Sequence, residues 1–480
     1  MNEDNTNTQG ENNAPVQSDT PTQSAPVQSD TPTQSAPVQG SNESPIQEYK
    51  NFYANGGKRN KAAVIALAIV CPIALAVVGI GVYMAMNNKN PDTPTPAPNP
   101  SNPVNYEISG KFGIDFLRKA YSNDSNGNNI IVSPYSMEAV WRLAAAGANG
   151  DTKTEINNVF GGERTMPSFS QLKSANGLFI RESFKNEMSA DFTGNFEGDL
   201  RYDSFASPDS INAWVRDNTD GMINGILDNP PDPSTMVILL NAIAMDEQWA
   251  DEFECDYTNE EDFTLESGET MKASMMFGGA DKYFKTNNAT GIIREYKEAD
   301  DGSAFEFVGI LPNGTVEEYL SKYSDEEIAA MAENEIENGT TEDDGSINVV
   351  SVKMPRFEYD YTVSNATGIM KDLGISKAFD SESADFSPML SEESTAKLSV
   401  SSVIQKAYVQ MTETGTKAAA VSGIAFDATA EFEEPQTYND YEVDLNRPFV
   451  FLIRDKKTKE VVFEGIVEQP EEWSGPTCSE

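Results

Sequence analysis

From Thr412 to Ser422 the chain reads Thr-Glu-Thr-Gly-Thr-Lys-Ala-Ala-Ala-Val-Ser. Thr416, Ala418, Ala420 and Ser422 share one parity, with Ala419 between them, and same-parity side chains of an extended strand lie on one face. All four are small. An exposed loop has no need of that. A strand that must slide between two others in a packed sheet does, because a bulky side chain would meet a close-packed interior. Gly415 supplies a turn at which such a segment can swing. Gln405–Gln410 upstream reads as a strand, and the next obvious strand begins near Arg447. The connection between them exceeds thirty residues and lacks sustained hydrophobic periodicity. Connections that long are functional or disordered. The chemistry on offer is strand addition.

Bond-making chemistry is poorly supplied. There are no histidines among the 480 residues, so neither a Ser-His-Asp nor a Cys-His system can be built from this chain alone, and histidine-dependent zinc sites are excluded too. No Ser-Lys motif stands out. No catalytic residue, metal or cofactor is expected. The three cysteines, Cys71, Cys255 and Cys478, are far apart and odd in number, which does not make a disulfide framework. Cys71 reads as a small hydrophobe in an apolar run, and a Cys255–Cys478 bridge is the one pairing conceivable.

The formal net charge is −43. Residues 1–89 hold seven acids and five bases, which leaves 70 acids and 29 bases, a net of −41, for the rest. Such a body repels phosphate backbones, so nucleic acid is not an expected partner.

The elements that must position the 412–422 segment lie in the C-terminal four-fifths. Residues 1–57 are polar and carry an eleven-residue unit, APVQSDTPTQS, at Ala14–Ser24 and Ala25–Ser35, with a third copy begun at Ala36. Too little apolar surface is present to offset the entropy of ordering, so this tail is expected to be disordered. Residues 62–86 form an uncharged apolar run. As a helix it would be roughly 37 Å long, enough to cross a hydrocarbon core of about 30 Å. Lys58, Arg59 and Lys61 precede it and only Lys89 follows closely. The positive-inside bias keeps the N-terminus cytoplasmic and exports the remainder through a single uncleaved signal anchor. Residues 87–105, rich in proline, read as an extended spacer. From 106 to 473 the texture is globular, with 474–480 as a short tail. Ile108, Phe112, Phe116 and Ala120 recur at helical spacing, and Ser136–Ala148 is helical in pattern after the start signals Ser133-Pro134. Val237–Leu240, Phe305–Leu311 and Phe449–Ile453 read as buried strands. Helices cluster early and strands late, which suggests an α+β fold with mixed sheets.

Several stretches, in order, resemble the serpin family of serine protease inhibitors. They are Asn129–Ser136, Ala145–Ala148, Ala175–Phe179, Ile211–Val215, Thr219–Ile223, Leu240–Ala242 with Trp249 and Phe253, Ile310–Pro312, Met354–Phe357, Arg447–Arg454 and Phe463–Gly465. The resemblance covers nearly all of 106–470. Each motif is weak alone, and the ordered set is specific.

The resemblance implies about nine helices around three β-sheets, with an exposed reactive loop. Gly415, Thr416, Ala418, Ala419, Ala420 and Ser422 would be its hinge. Counting about fourteen positions past the hinge glycine puts the cleaved bond at Thr429-Ala430. A bait without Lys or Arg suits elastase-like or subtilisin-like serine proteases, with Phe426, Phe432 and Tyr438 as alternative sites for chymotrypsin-like enzymes. Ser133, Ser136, Asn241, Gln405 and Trp249 match the gate beneath the loop. Family members often carry a histidine where this chain has Gln405. With no imidazole to titrate, gate opening is expected to be insensitive to pH between about 5 and 8. The expected protein is a bacterial, single-pass, cell-surface suicide-substrate inhibitor, monomeric and not an enzyme. The alternative is a non-inhibitory serpin acting as a surface binding module.

Overall fold

The computed structural model of the 480-residue chain describes residues 106–124, 127–196, 198–416 and 437–473. The tail 1–57, the span 62–86, the spacer 87–105 and the tail 474–480 lie outside the described residues. Within the described residues, no helix is long and apolar enough to cross a membrane.

Eight α-helices and four short 3-10 segments accompany eighteen strands in the described residues. In chain order the strands are β1 (Ile130–Val132), β2 (Leu172–Arg181), β3 (Asp199–Asp203), β4 (Val237–Met245), β5 (Glu247–Gln248), β6 (Thr258–Thr264), β7 (Thr270–Gly279), β8 (Lys282–Lys285), β9 (Ala289–Glu295), β10 (Phe305–Pro312), β11 (Ile336–Glu337), β12 (Ile347–Pro355), β13 (Phe357–Thr362), β14 (Ser402–Met411), β15 (Gly415–Thr416), β16 (Tyr438–Asp444), β17 (Phe449–Asp455) and β18 (Val461–Val467). They form three sheets. The central one runs β3-β2-β4-β14-β15-β5, with β13 paired on β14. A second runs β1-β18-β17-β10-β9-β8-β11, and the third β16-β12-β7-β6.

The helix Pro134–Ala146 shows why the local sequence works. The Ser133 side chain accepts from the Ser136 N–H as the N-cap, and Pro134 occupies the first turn, where its missing N–H costs nothing. The helix therefore starts two residues before the expected Ser136, and it ends at Ala146, with Gly147 as cap. Its Met137, Val140, Trp141 and Ala144 are buried in the main core, together with Leu239 and Ile243 of β4 and Val403, Ala407 and Val409 of β14. A second, smaller core forms on the opposite face of the central sheet. There Ile211, Trp214 and Val215 of the helix Asp209–Asn218 meet Ala175, Phe179, Ile238, Leu240 and Ala242, with Ile404 and Tyr408 packed alongside. Covered on both faces, β4 is buried at every position. That is why Val237–Leu240 read as a continuous apolar run.

One expectation needs correction. A strand, β16, intervenes before Arg447 and pairs in parallel with β12. Only Val443 of its seven residues is buried, so it carries no apolar alternation to betray it. Cys255 is disulfide-bonded, which fits the single bridge left open for it in the sequence. The other two cysteines lie outside the described residues.

One buried group stands apart. Glu464, opposite Val132 in the β1–β18 ladder, is 1% exposed, and its Oε2 has no hydrogen-bond partner. Burial pushes this carboxyl up to about 8, with Arg118 opposing.

Candidate functional site

The site is a seam. β4 and β14 are parallel neighbours, paired from Ser402↔Ile238 to Ala407↔Ile243. Sequentially distant parallel strands in a largely antiparallel sheet form the less stable kind of ladder. At the head of the seam stands β15, a two-residue stub. It is antiparallel to β14 at Met411↔Thr416 and to β5 at Thr416↔Glu247 and Gly415↔Gln248. Since β5 continues the run of β4, a chain prolonged past Thr416 in the same direction enters the seam antiparallel to both walls.

The loop reading placed Gly415 and Thr416 at an exposed swing point. Both are in fact buried in the sheet. Gly415 has φ +148°, and a Cβ there would come within 2.1 Å of the Glu247 carbonyl oxygen and 2.7 Å of the Gln248 Cα. Only glycine permits that approach. Thr416 is fully buried, and its hydroxyl lies 2.9 Å from that of Tyr296. Ala418, Ala419, Ala420, Ser422, Thr429 and Ala430 lie outside the described residues, as do Phe426 and Phe432. Tyr438 is the first residue of β16.

Four of the five gate residues form one buried network beneath the seam. Gln405 and Asn241 face each other across β4 and β14, and the Gln405 Nε2 donates to Asn241 Oδ1 at 2.8 Å and to the Ser133 carbonyl at 2.8 Å. The Gln405 Oε1 accepts from the Ser133 N–H at 3.0 Å. Asn241 Nδ2 donates to the Ser136 carbonyl at 3.0 Å, to the Ser136 hydroxyl and to Asn176 Oδ1. The Ser133 hydroxyl donates to the Val462 carbonyl at 2.6 Å. Ser133, Ser136, Asn241 and Gln405 show no exposure at all. Parting β4 from β14 here requires breaking the Gln405–Asn241 bond in a low-dielectric interior, where an unpaired amide is costly.

Trp249, the fifth, sits apart from this network at the head of the seam. Its ring stacks on Tyr296 with centroids 4.4 Å apart and planes 12° apart. Its indole N–H donates to the Thr412 carbonyl at 3.0 Å, and its backbone N–H to the Thr414 carbonyl at 3.0 Å. The segment entering the hinge is thereby held by Trp249 at two points. Glu413 within it is 2% exposed; it accepts from the Thr258 hydroxyl at 2.8 Å and lies 3.8 Å from Arg356.

Sequence reasoning quoted Glu413 and Arg356 inside longer stretches and gave neither a role. Tyr296 and Glu247 it missed. Neither carries a local signal, because each acquires its neighbours only when β5, the exit of β9 and the hinge converge. Glu247 is half-buried; burial, then the nearby Asp246 and Asp301, push its carboxyl up to about 7.

A family model described as Serpin (serine protease inhibitor) matches residues 107–470. Among curated proteins, Iripin-5 of Ixodes ricinus is 29% identical over 395 residues, which cover 75% of this chain and 93% of that protein. An uncharacterized serpin-like protein of Methanosarcina mazei is 26% identical over 368 residues, covering 72% and 82% respectively. Among solved structures, the thermophilic serpin tengpin in its native state superposes with a TM-score of 0.63 at 26% identity, over 77% of this chain and 96% of tengpin. The chain belongs to the serpin family, whose members are generally protease inhibitors and not catalysts.

Proposed function

We propose that this serpin is an irreversible suicide-substrate inhibitor of elastase-like or subtilisin-like serine proteases. The observation that carries the reading is β15, a strand stub already aimed down the seam between β4 and β14, continued in sequence by small residues of one parity. The target's serine attacks the carbonyl carbon of Thr429. The bond to the Ala430 nitrogen breaks, Ala430 becomes a free amine, and Thr429 is left as an ester on the protease. Residues Thr416 to Thr429 then extend β15 into the seam as roughly 46 Å of strand. One parallel ladder is exchanged for two antiparallel ones, a gain in hydrogen bonds and in pairing geometry. The ester-linked protease is carried along and distorted before water can release it. The inhibitor contributes bait and stored strain.

We place the domain on the outer face of a single membrane, as a monomer, held by the span 62–86 and the spacer 87–105. The basic residues before the span and the disulfide at Cys255 both favour export to an oxidising compartment, and the style of leader, span and spacer suggests a bacterial surface.

The test is incubation of the full chain with pancreatic elastase and with subtilisin. A complex that survives boiling in detergent, with a released fragment beginning at Ala430 by mass spectrometry, supports the reading. Complete cleavage with no complex leaves the non-inhibitory binding module instead.

A further inference from the structure

The absence of histidine predicted a gate indifferent to pH near neutrality. The hinge supplies another titrating group. Glu247 pairs with Thr416 in the β15–β5 ladder, which makes their side chains cross-strand neighbours on one face, and Glu247 is half-buried there. Asp246 adjoins it in the chain, and Asp301 approaches from the loop after β9. Asp301 is held ionised, its carboxyl pulled down to about 2 by hydrogen bonds from Ser303. The opposing cation is Lys173 of β2, itself committed to Asp220 at 3.2 Å. Tyr296 faces the same site, and burial keeps its phenol neutral.

We propose that Glu247 is a positioning residue for the hinge, and that protonation of its carboxyl seats β15 while ionisation favours release. The proposal rests on the hinge being the moving part, as in the proposed function.

The sign follows from linkage. Seated, the carboxyl holds its proton up to about pH 7; released into water, it returns towards its ordinary 4.5. The seated state binds the proton more tightly and gains as pH falls. The ratio of seated to released hinge is expected to change by about tenfold between pH 6 and 8. Protonation therefore readies the first pair of the inserting strand, and raising the pH withdraws it.

The experiment is amide hydrogen exchange on the full chain in detergent micelles, read on the peptide spanning 411–416 between pH 6 and 8 and corrected for intrinsic rates. The expected result is a roughly tenfold loss of protection with rising pH in the wild type, and uniformly high protection in Glu247→Gln, which keeps the strand pair and removes the charge. Protection that is flat in the wild type, or that changes equally in both proteins, overturns the proposal. A parallel protease-trapping assay separates the two readings. A pH-responsive hinge with no trapping sinks the inhibitor and leaves the switch. Trapping with a flat hinge does the reverse.

Discussion

The hydroxyls of Tyr296 and Thr416 lie 2.9 Å apart, and the Tyr296 ring lies flat against Trp249. The first residue of the segment proposed to insert therefore already holds the partner it would need at the head of an inserted strand. Tyr296→Phe keeps the stack and removes the bond. A loss of about 1 kcal/mol is expected, measured by urea unfolding, with lower exchange protection at 411–416.

Thr416→Arg puts a guanidinium where the wild-type side chain has no exposure. So bulky a side chain cannot be accommodated in that close-packed interior, so β15 is expelled and insertion has no start. Detergent-resistant complex is expected to disappear while cleavage of the loop continues. Trapping as fast and complete as in the wild type would refute insertion as the working step.

Gly415→Ala strains the chain twice, by its φ of +148° and by the approach to the Glu247 carbonyl. A cost of about 1–3 kcal/mol falls on the seated state. Tryptophan fluorescence should report it through Trp249, which is hydrogen-bonded to the same segment.

Gln405→Ala leaves the Ser133 N–H without its acceptor and Asn241 Oδ1 without its donor across the seam. The expected loss is about 1–3 kcal/mol. Because the bond spans the two walls, spontaneous conversion to a loop-inserted, inactive form should also accelerate, read as a shorter half-life of trapping activity at 37 °C.

Glu464 makes stability depend on pH through a group far from the hinge. Its carboxyl is raised from 4.5 to about 8 in the folded protein, so the native state binds the proton more tightly than the unfolded chain. That stabilisation is complete below about pH 4.5 and is lost as pH rises through 8, at roughly 1.4 kcal/mol per pH unit in between. Glu464→Gln should melt at a higher temperature than wild type at pH 8.5, the gap narrowing towards pH 5. An equal gap at both values would refute the assignment.

Legibility followed the range of the interactions. The helix Pro134–Ala146 and the strands β4, β10 and β17 announce themselves by caps or by unbroken apolar runs, which are local. Ser133, Ser136, Asn241 and Gln405 were singled out by family resemblance, and the structure joins them in one network in which each polar group satisfies another. The strand β16 was hidden because its face is mostly polar and its partner β12 lies about ninety residues away. Seating of Gly415 and Thr416 could not be read from the loop, because it depends on Glu247, Trp249 and Tyr296 arriving from elsewhere.

The helix Asp209–Asn218 and its small core straddle β2, β4 and β14. A newcomer to the seam must go under that lid, prising Trp214 and its neighbours off the sheet and letting them settle again about 4.8 Å further over. With the lid closed over an extra strand, the way back is shut. On the proposed mechanism, protection would then scale with the number of copies present, one for each protease disarmed, and not with how tightly any copy binds.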